Sequence, residues 1–166
     1  PNVTFSTNAV ALEAKPSSGL PVSYRLVSGA GSLSGSKLTL SGIGTFTVAA
    51  DQGGNTNWLA ATSVTNSFVV TRGVQTITFA PIGEQVLSAG SVTLSAVSSA
   101  GLVVSFSVMS GPATVSGTKL TLLNEGTVTV RAINPGSTLW LAGQAEQSFV
   151  IRKLTTLAVT VAGNQS

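Results

Sequence analysis

The chain has 166 residues and a net charge of +3; 8% of its residues are charged and 43% are hydrophobic. The eight Lys and Arg are scattered, so no basic stripe could track nucleic-acid phosphates, and no apolar run approaches the ~18 residues that indicate a membrane span. There is no histidine and no cysteine, which excludes the commonest general base and metal ligand, disulfides and thiolate chemistry.

One sequence pattern occurs twice along the chain. "SGSKLTLSGIGTFTV" (Ser34–Val48) returns as "SGTKLTLLNEGTVTV" (Ser116–Val130), eighty-two residues later. In the wider stretches Gly19–Ala60 and Gly101–Ala142, roughly half of the positions are identical without a gap, as expected for an internal repeat. After the tryptophan of each copy the spacing changes by one residue. The chain is therefore predicted to contain two copies of one structural unit.

Within each copy, apolar and polar residues alternate with a period of two. Lys37–Leu40, Thr45–Val48 and Thr127–Val130 show the alternation of half-buried strands. Gly, Ser, Asn and Pro interrupt these runs, and no stretch has the apolar spacing of a helix. About seven short strands in each ~80-residue copy, in antiparallel order, predict an all-β chain of two-sheet sandwiches.

The repeat also predicts the domain boundaries. The first sandwich is assigned to Pro1–Thr71 and the second to Arg72–Lys153, with a junction too short for a free linker. Leu154–Ser166 follows as a C-terminal extension strand. The chain opens on Pro1-Asn2, with no Met and no signal-peptide pattern, so we expect a mature product or an excised fragment.

These motifs resemble a bacterial immunoglobulin-like repeat family found in tandem on large secreted and surface (adhesin-like) proteins. The resemblance rests on "GLPVSYRLVSG", "GSLSGSKLTLSGIGTFTVAADQGGNTNWLAA", "SFVV" and "QTITFAPIGEQVLSAGSVTLSAVSSAGLVVSFSV". It covers nearly the whole chain and implies immunoglobulin-like sandwiches with a non-catalytic, structural or adhesive role outside the cell. It implies no particular ligand, because a fold alone does not specify one.

The two ends depart from the repeat. The second copy begins with the strand Thr76–Phe79, for which the first copy has no counterpart. At the other end, "TTLAVTV" (Thr155–Val161) alternates like a spare strand. Its candidate contact residues are Thr155, Leu157, Val159 and Val161.

Three explanations of these ends remain open. The tail of one molecule could complete the first sandwich of the next by donor-strand complementation, a head-to-tail contact that forms filaments. The chain could instead be a segment cut from a longer array, with flanking repeats as its partners and the tail as the start of a third copy. The tail could also fold back onto its own sandwich.

The chemical candidates are few. Trp58 and Trp140 recur at equivalent positions, where they could stack on glycan rings, although packing under a loop is the simpler interpretation. The loop Asp51–Asn57 has oxygens for calcium, but the second copy lacks the carboxylate, so it is interpreted as a turn. Lys37 and Lys119 also recur, and projection into water is a simpler explanation than a cross-link to Asn.

The sequence thus predicts neither catalytic residues nor a metal or other cofactor. Its five carboxylates, Glu13, Asp51, Glu84, Glu125 and Glu146, are far apart in sequence, and no nucleophile motif is present. The expected protein is a non-enzymatic structural subunit of an extracellular fibre or surface layer on a bacterial cell, with further copies of itself as partners. The alternatives are a spacer in an adhesin stalk and a carbohydrate-binding module.

Overall fold

The computed structural model describes residues 2–155, 157 and 159. Its regular structure in these ranges is all β, apart from a 3-10 turn at Leu87–Ala89, so the all-β prediction is confirmed. The strands, in chain order, are β1 Asn2–Thr4, β2 Val10–Ala11, β3 Ser23–Ser28, β4 Gly31–Ser34, β5 Lys37–Leu40, β6 Gly44–Gln52, β7 Ala61–Thr71, β8 Ile77–Phe79, β9 Gln85–Val86, β10 Ser91–Thr93, β11 Ala96–Ser98, β12 Ser105–Ser110, β13 Ala113–Ser116, β14 Lys119–Leu122, β15 Gly126–Asn134 and β16 Gly143–Arg152. No helix in the described ranges has the length and apolar character to cross a membrane.

The chain divides into two compact units. The first unit contains the residues up to Gln75 together with Pro135–Ala142, and the second contains Thr76–Asn134 and the chain from Gly143 onward. The sequence predicts the boundary between the two units after Thr71, and it assigns the segment Pro135–Ala142 to the second repeat. Its place in the first unit has a physical basis, because its backbone hydrogen-bonds to the residues that follow β7.

The first unit packs two sheets on one apolar core. One sheet has the strand order β1-β7-β6-β3 and the other the order β2-β5-β4. Leu38 and Leu40 come from the second sheet and meet Phe46 and Phe68 from the first, whose rings stack 5.6 Å apart. The alternation in "KLTL" explains this, since its two leucines point to the same face of β5 and its Lys and Thr point to the other.

The second unit repeats this plan and adds a pair of strands. Its sheets have the orders β12-β15-β16-β9 and β10-β14-β13, and β8 pairs with β11. Leu120 and Leu122 of one sheet pack against Val128 and Val130 of the other. The buried cluster of the second unit has eleven residues, against seven in the first. The second unit therefore has the more complete core.

Each unit contains one parallel pair of strands. β1 runs parallel to β7, with Asn2 opposite Val69, and β9 runs parallel to β16, with Gln85 opposite Ile151. The prediction of an antiparallel order is wrong for these two pairs, although the remaining pairs among the described strands are antiparallel. Short strands such as β1 and β9 carry too little alternation to reveal their direction.

Candidate strand-acceptor groove

The first unit contains an apolar groove with a volume of about 670 Å³. We call it the acceptor groove. It is lined by Val48 on β6, Phe68 on β7 and Tyr24 on β3, and by the stretch 10–16 that includes β2. Val48 and Phe68 also belong to the buried cluster of the first unit, so the groove reaches down to the core of that unit.

In the second unit, strand β8 covers the corresponding surface. Ile77 and Phe79 of β8 are buried, and β8 pairs with β11 so that Phe79 lies opposite Ala96. The Phe79 ring lies 5.4 Å from that of Phe106. Eighty-two positions earlier in the chain, Phe106 corresponds to Tyr24, which lines the acceptor groove. The groove therefore has the position in the first unit that β8 occupies in the second.

The edge of the groove is suited to pairing with an added strand. Around β8, Ala80 N–H donates to the Ser95 carbonyl at 2.9 Å and Ser99 N–H donates to the Thr76 carbonyl at 2.9 Å. In an antiparallel pair, residue pairs that exchange backbone hydrogen bonds alternate with pairs that do not, and the Ser98–Ile77 pair is of the second kind. The repeat aligns Pro16 with Ser98. Proline has no backbone N–H, and at this position an added strand would not need one as a hydrogen-bond donor.

A polar contact in the second unit also has a counterpart in the groove. The Gln147 side-chain amide donates to the Phe79 carbonyl at 3.2 Å. Asn66 is the residue of the first copy that aligns with Gln147, and it lines the groove. The alternation and composition of the sequence do not single out Asn66 or Tyr24. The repeat alignment could have identified both, since each matches a residue that contacts β8.

Three charged residues line the groove, Glu13, Lys15 and Asp51, and the first two are exposed. Asp51 lines it and accepts a hydrogen bond from Arg25 Nε at 2.9 Å. The Ser63 hydroxyl hydrogen bond lowers the pKa of the Asp51 carboxyl from its ordinary value, and Arg25 lowers it further, while desolvation opposes both. Asp51 is consequently ionised at neutral pH, where it pairs with Arg25.

The predicted donor residues are exposed where the structure describes them. Leu157 is 91% exposed and Val159 is 82% exposed, and neither they nor Thr155 belong to a strand. Val161, the fourth predicted contact residue, lies outside the described residues. The described part of the tail is thus not packed against its own unit.

The two tryptophans have different surroundings. Trp140 belongs to the first unit and meets Phe5 edge-to-face, with ring centroids 5.4 Å apart and an interplanar angle of 88°. Trp58 is 50% exposed. Packing under a loop therefore describes Trp140, whereas half of the surface of Trp58 faces solvent.

The remaining candidates are distributed over the surface. Four of the five carboxylates pair with basic side chains: Asp51 with Arg25, Glu146 with Arg131, Glu84 with Arg152 and Glu125 with Lys153. Lys37 and Lys119 are exposed at the starts of their strands. Within the described ranges, no three Asp or Glu side chains gather in a group that could hold a metal ion.

Comparison with known proteins does not name a family. No family model matches the chain, and no curated protein matches it. Solved structures that match include Drosophila N-cadherin EC1-4, at 9% identity over 91% of this chain with a TM-score of 0.38, and human mucin-like protocadherin EC1-2, at 14% identity over 92% with a TM-score of 0.35. A SusE-like surface-located polysaccharide-binding protein of Bacteroides thetaiotaomicron matches at 16% identity over 92%, with a TM-score of 0.33.

The compared chains differ in how much of their own length is matched. This chain covers 47% of the N-cadherin chain, 94% of the protocadherin chain and 32% of the polysaccharide-binding chain. At these identities and TM-scores the matches carry no argument about function, which has to be argued from the groove and its surroundings.

Proposed function

We propose that this chain is a non-enzymatic structural subunit of an extracellular bacterial fibre or surface assembly. In this proposal, the tail of one copy enters the acceptor groove of the next as an added strand. The observation that supports it is the pair of equivalent surfaces: β8 covers one of them in the second unit, and the other is the acceptor groove of the first unit. The two immunoglobulin-like sandwiches would serve as repeated structural modules.

The tail has the side-chain spacing that the groove requires. Leu157 and Val159 are two positions apart, like Ile77 and Phe79 on β8. Two residues at this spacing point to the same face of a strand. Leu157 would take the place of Ile77, and Val159 would take that of Phe79 beneath Tyr24.

The expected stabilisation is large enough for a specific contact. Burying two aliphatic side chains contributes about 3–6 kcal/mol, and backbone pairing with the stretch 13–17 adds to it. Association opposes this with a cost of several kcal/mol. Strand exchange alone would therefore give a reversible contact whose occupancy rises with protein concentration.

Sedimentation over a range of concentrations tests the proposal. We expect head-to-tail oligomers whose mass rises with concentration, because the contact is heterologous and does not close. Deleting residues 154–166 should abolish them, and so should Leu157→Lys combined with Val159→Lys. Ala158→Lys is the matched control, since alternation places residue 158 on the opposite face.

Two results would contradict strand exchange. One is a chain that stays monomeric at millimolar concentration whether or not its tail is present. The other is a tail that protects the groove residues from hydrogen exchange within a monomer, since that would place the strand in its own molecule.

A spacer in a long adhesin stalk is the second candidate, and a specific observation favours it. In the second unit, the covering strand β8 comes from the residues directly ahead of the other strands of that unit. By analogy, the covering strand of the first unit would come from a segment of the same polypeptide directly ahead of Pro1.

Two synthetic peptides distinguish these candidates. If the groove is built for a β8-like strand, a peptide of residues 75–83 should bind the chain and raise the unfolding temperature of the first unit. A peptide of residues 154–162 should bind more tightly than the first peptide if strand exchange is the native contact. Tighter binding of the β8 peptide supports the stalk.

A further inference from the structure

The loop around Trp58 has the same build as the loop around Trp140. In the first, Asn55 N–H donates to the Trp58 carbonyl at 2.8 Å; in the second, Ser137 N–H donates to the Trp140 carbonyl at 2.9 Å. The backbone N–H of Trp58 donates to Asn55 Oδ1 at 3.0 Å, and the backbone N–H of Trp140 donates to Ser137 Oγ at 3.2 Å. We call residues 55–60 the Trp58 loop and residues 137–142 the Trp140 loop.

The Trp140 loop is seated on the end of the first unit. Gly73 N–H donates to the Leu139 carbonyl at 2.8 Å, and Leu141 N–H donates to the Gly73 carbonyl at 2.8 Å. The Trp140 ring packs on the Phe5 ring, and the Gln75 amide donates to Leu141 O at 2.6 Å. We call the surface formed by Phe5, Gly73 and Gln75 the loop seat.

In the Trp58 loop, the residues that align with Trp140 and Leu141 are exposed to solvent. Trp58 is 50% exposed and Leu59, which aligns with Leu141, is 95% exposed. In the part of the chain that the structure describes, no hydrogen bond is made to the Leu59 N–H, whereas the aligned Leu141 N–H is bonded to the loop seat. A loop that is already folded, with its binding groups turned outward, loses little conformational entropy on docking.

Within the first unit, the Trp58 loop and the loop seat lie at opposite ends of β7. The loop precedes Ala61, and Gly73 follows Thr71. Eleven strand residues separate them by roughly 35 Å, so the Trp58 loop cannot reach the seat of its own unit. A seat for this loop would therefore have to lie on another repeat.

The seat is selective, because it requires glycine. A Cβ atom at Gly73 would lie 2.6 Å from the Trp140 ring and 2.6 Å from the Phe5 carbonyl oxygen. After β16, the residue that aligns with Gly73 is Leu154. A side chain of that size at the seat would displace the tryptophan. The carboxyl end of the second unit is therefore a poor partner for the Trp58 loop.

From these observations we propose that the Trp58 loop docks on the glycine-containing seat of a further repeat of this kind, placed ahead of Pro1 in the same polypeptide. A second copy of this chain is disfavoured as the partner, because its own Trp140 loop already fills its seat. A repeat ahead of Pro1 would also carry a β8-like segment towards the acceptor groove, so this docking fits the stalk candidate better than strand exchange. Docking itself involves neither the tail nor the groove.

The test uses the full chain, extended at its amino end by a duplicate of residues 1–82. The original Trp58 then lies one repeat beyond the Gly73 of the duplicate. Trp140→Phe in the original and Trp58→Phe in the duplicate leave one tryptophan, whose quenching by acrylamide is measured. The reference is the unextended chain carrying Trp140→Phe.

Docking should reduce the quenching of Trp58 about twofold, since half of its surface is exposed beforehand. Exchange of the Leu59 amide hydrogen should slow about tenfold or more, because the amide gains a carbonyl partner. Gly73→Leu in the duplicate should reverse both effects, and so should Phe5→Ala in the duplicate, with circular dichroism confirming that the duplicate remains folded.

Two results would overturn the inference. In one, Trp58 is quenched equally in the extended and unextended chains. In the other, Trp58 stays accessible in the extended chain and becomes protected only when polysaccharide is added, which would make it a glycan platform instead.

Discussion

The two units share one repeated sequence but complete their cores differently. In the second unit, Ile77 and Phe79 of β8 lie beneath the sheet and are 5% and 6% exposed. In the first, Tyr24 and Asn66 line an open groove on the equivalent surface. The comparison shows that the repeat encodes most of a sandwich, while the covering strand is a separable element. Under the proposed function, the first unit receives that strand from another molecule.

The largest expected difference between the units follows from removing the aromatic ring at the covered position. Phe106→Ala should lower the free energy of unfolding of the second unit by about 3 kcal/mol, because it removes the ring that packs 5.4 Å from that of Phe79. Tyr24→Ala in the first unit should cost about 1 kcal/mol or less, since its ring borders open space. Hydrogen exchange of the Val128 and Val130 amides reports the first effect. Equal losses in both units would contradict the comparison.

The two tryptophan loops should differ next. Trp140→Ala should destabilise the first unit by about 2–3 kcal/mol, because it removes the packing against Phe5. Trp58→Ala is the matched variant and should change stability by about 0.5 kcal/mol or less. Both tryptophans belong to the first unit, so the fluorescence of the remaining one follows its unfolding in urea. A large effect of Trp58→Ala in the single chain would show that its loop already has a partner there.

Substitution of the glycine at the loop seat should have a smaller effect. Gly73→Ala places a methyl group 2.6 Å from the Trp140 ring, and the expected cost is about 1–3 kcal/mol for such overpacking. Gly53→Ala is the control, since a Cβ there meets nothing within 4 Å. Urea unfolding followed by tryptophan fluorescence measures both. If the two variants were equally stable, the ring would have room to move, and the selectivity of the seat would be lost.

The smallest effect concerns Asp51, which lines the acceptor groove. The pKa of Asp51 is lowered in the folded chain, so its stabilisation is complete above the pKa of the unfolded state and is lost as the pH falls through the folded value. Asp51→Asn should flatten the pH dependence of the first unit below about pH 4, and leave the second unit unchanged. The check is to measure the urea unfolding midpoint of the first unit in the unsubstituted chain and in the Asp51→Asn variant at several pH values. An unchanged profile would mean that the Ser63 and Arg25 contacts are not formed in solution.

Much of the fold could be predicted because alternation acts locally. The "KLTL" and "TFTV" runs place Leu38, Leu40, Phe46 and Val48 on inward faces, and the structure buries all four. The direction of β1 could not be predicted, because three residues carry no signal of their partner. The place of the Trp140 loop in the first unit also escaped prediction, since it depends on contacts with Phe5 and Gly73, which are distant in sequence.

The groove was only partly predictable. The repeat alignment predicted a strand present in one copy and missing in the other, but an alignment carries no information on volume or lining. Tyr24 and Asn66 are identified as groove residues by the contacts that their counterparts, Phe106 and Gln147, make with Phe79 of β8. The donor residues Leu157 and Val159 remain a prediction, because a single chain contains no partner for them.

The parallel pairing of β1 with β7 has a consequence for a molecule under tension. Residues 2–4 lie beside residues 69–71 in the same direction, and Phe5 N–H donates to the Thr71 carbonyl at 2.8 Å. A force that pulls the start of β1 away from the end of β7 slides the two strands along each other. The bonds that join them then bear the load together instead of opening one after another. This pairing would make the first unit resist unfolding when tension is applied between its two ends.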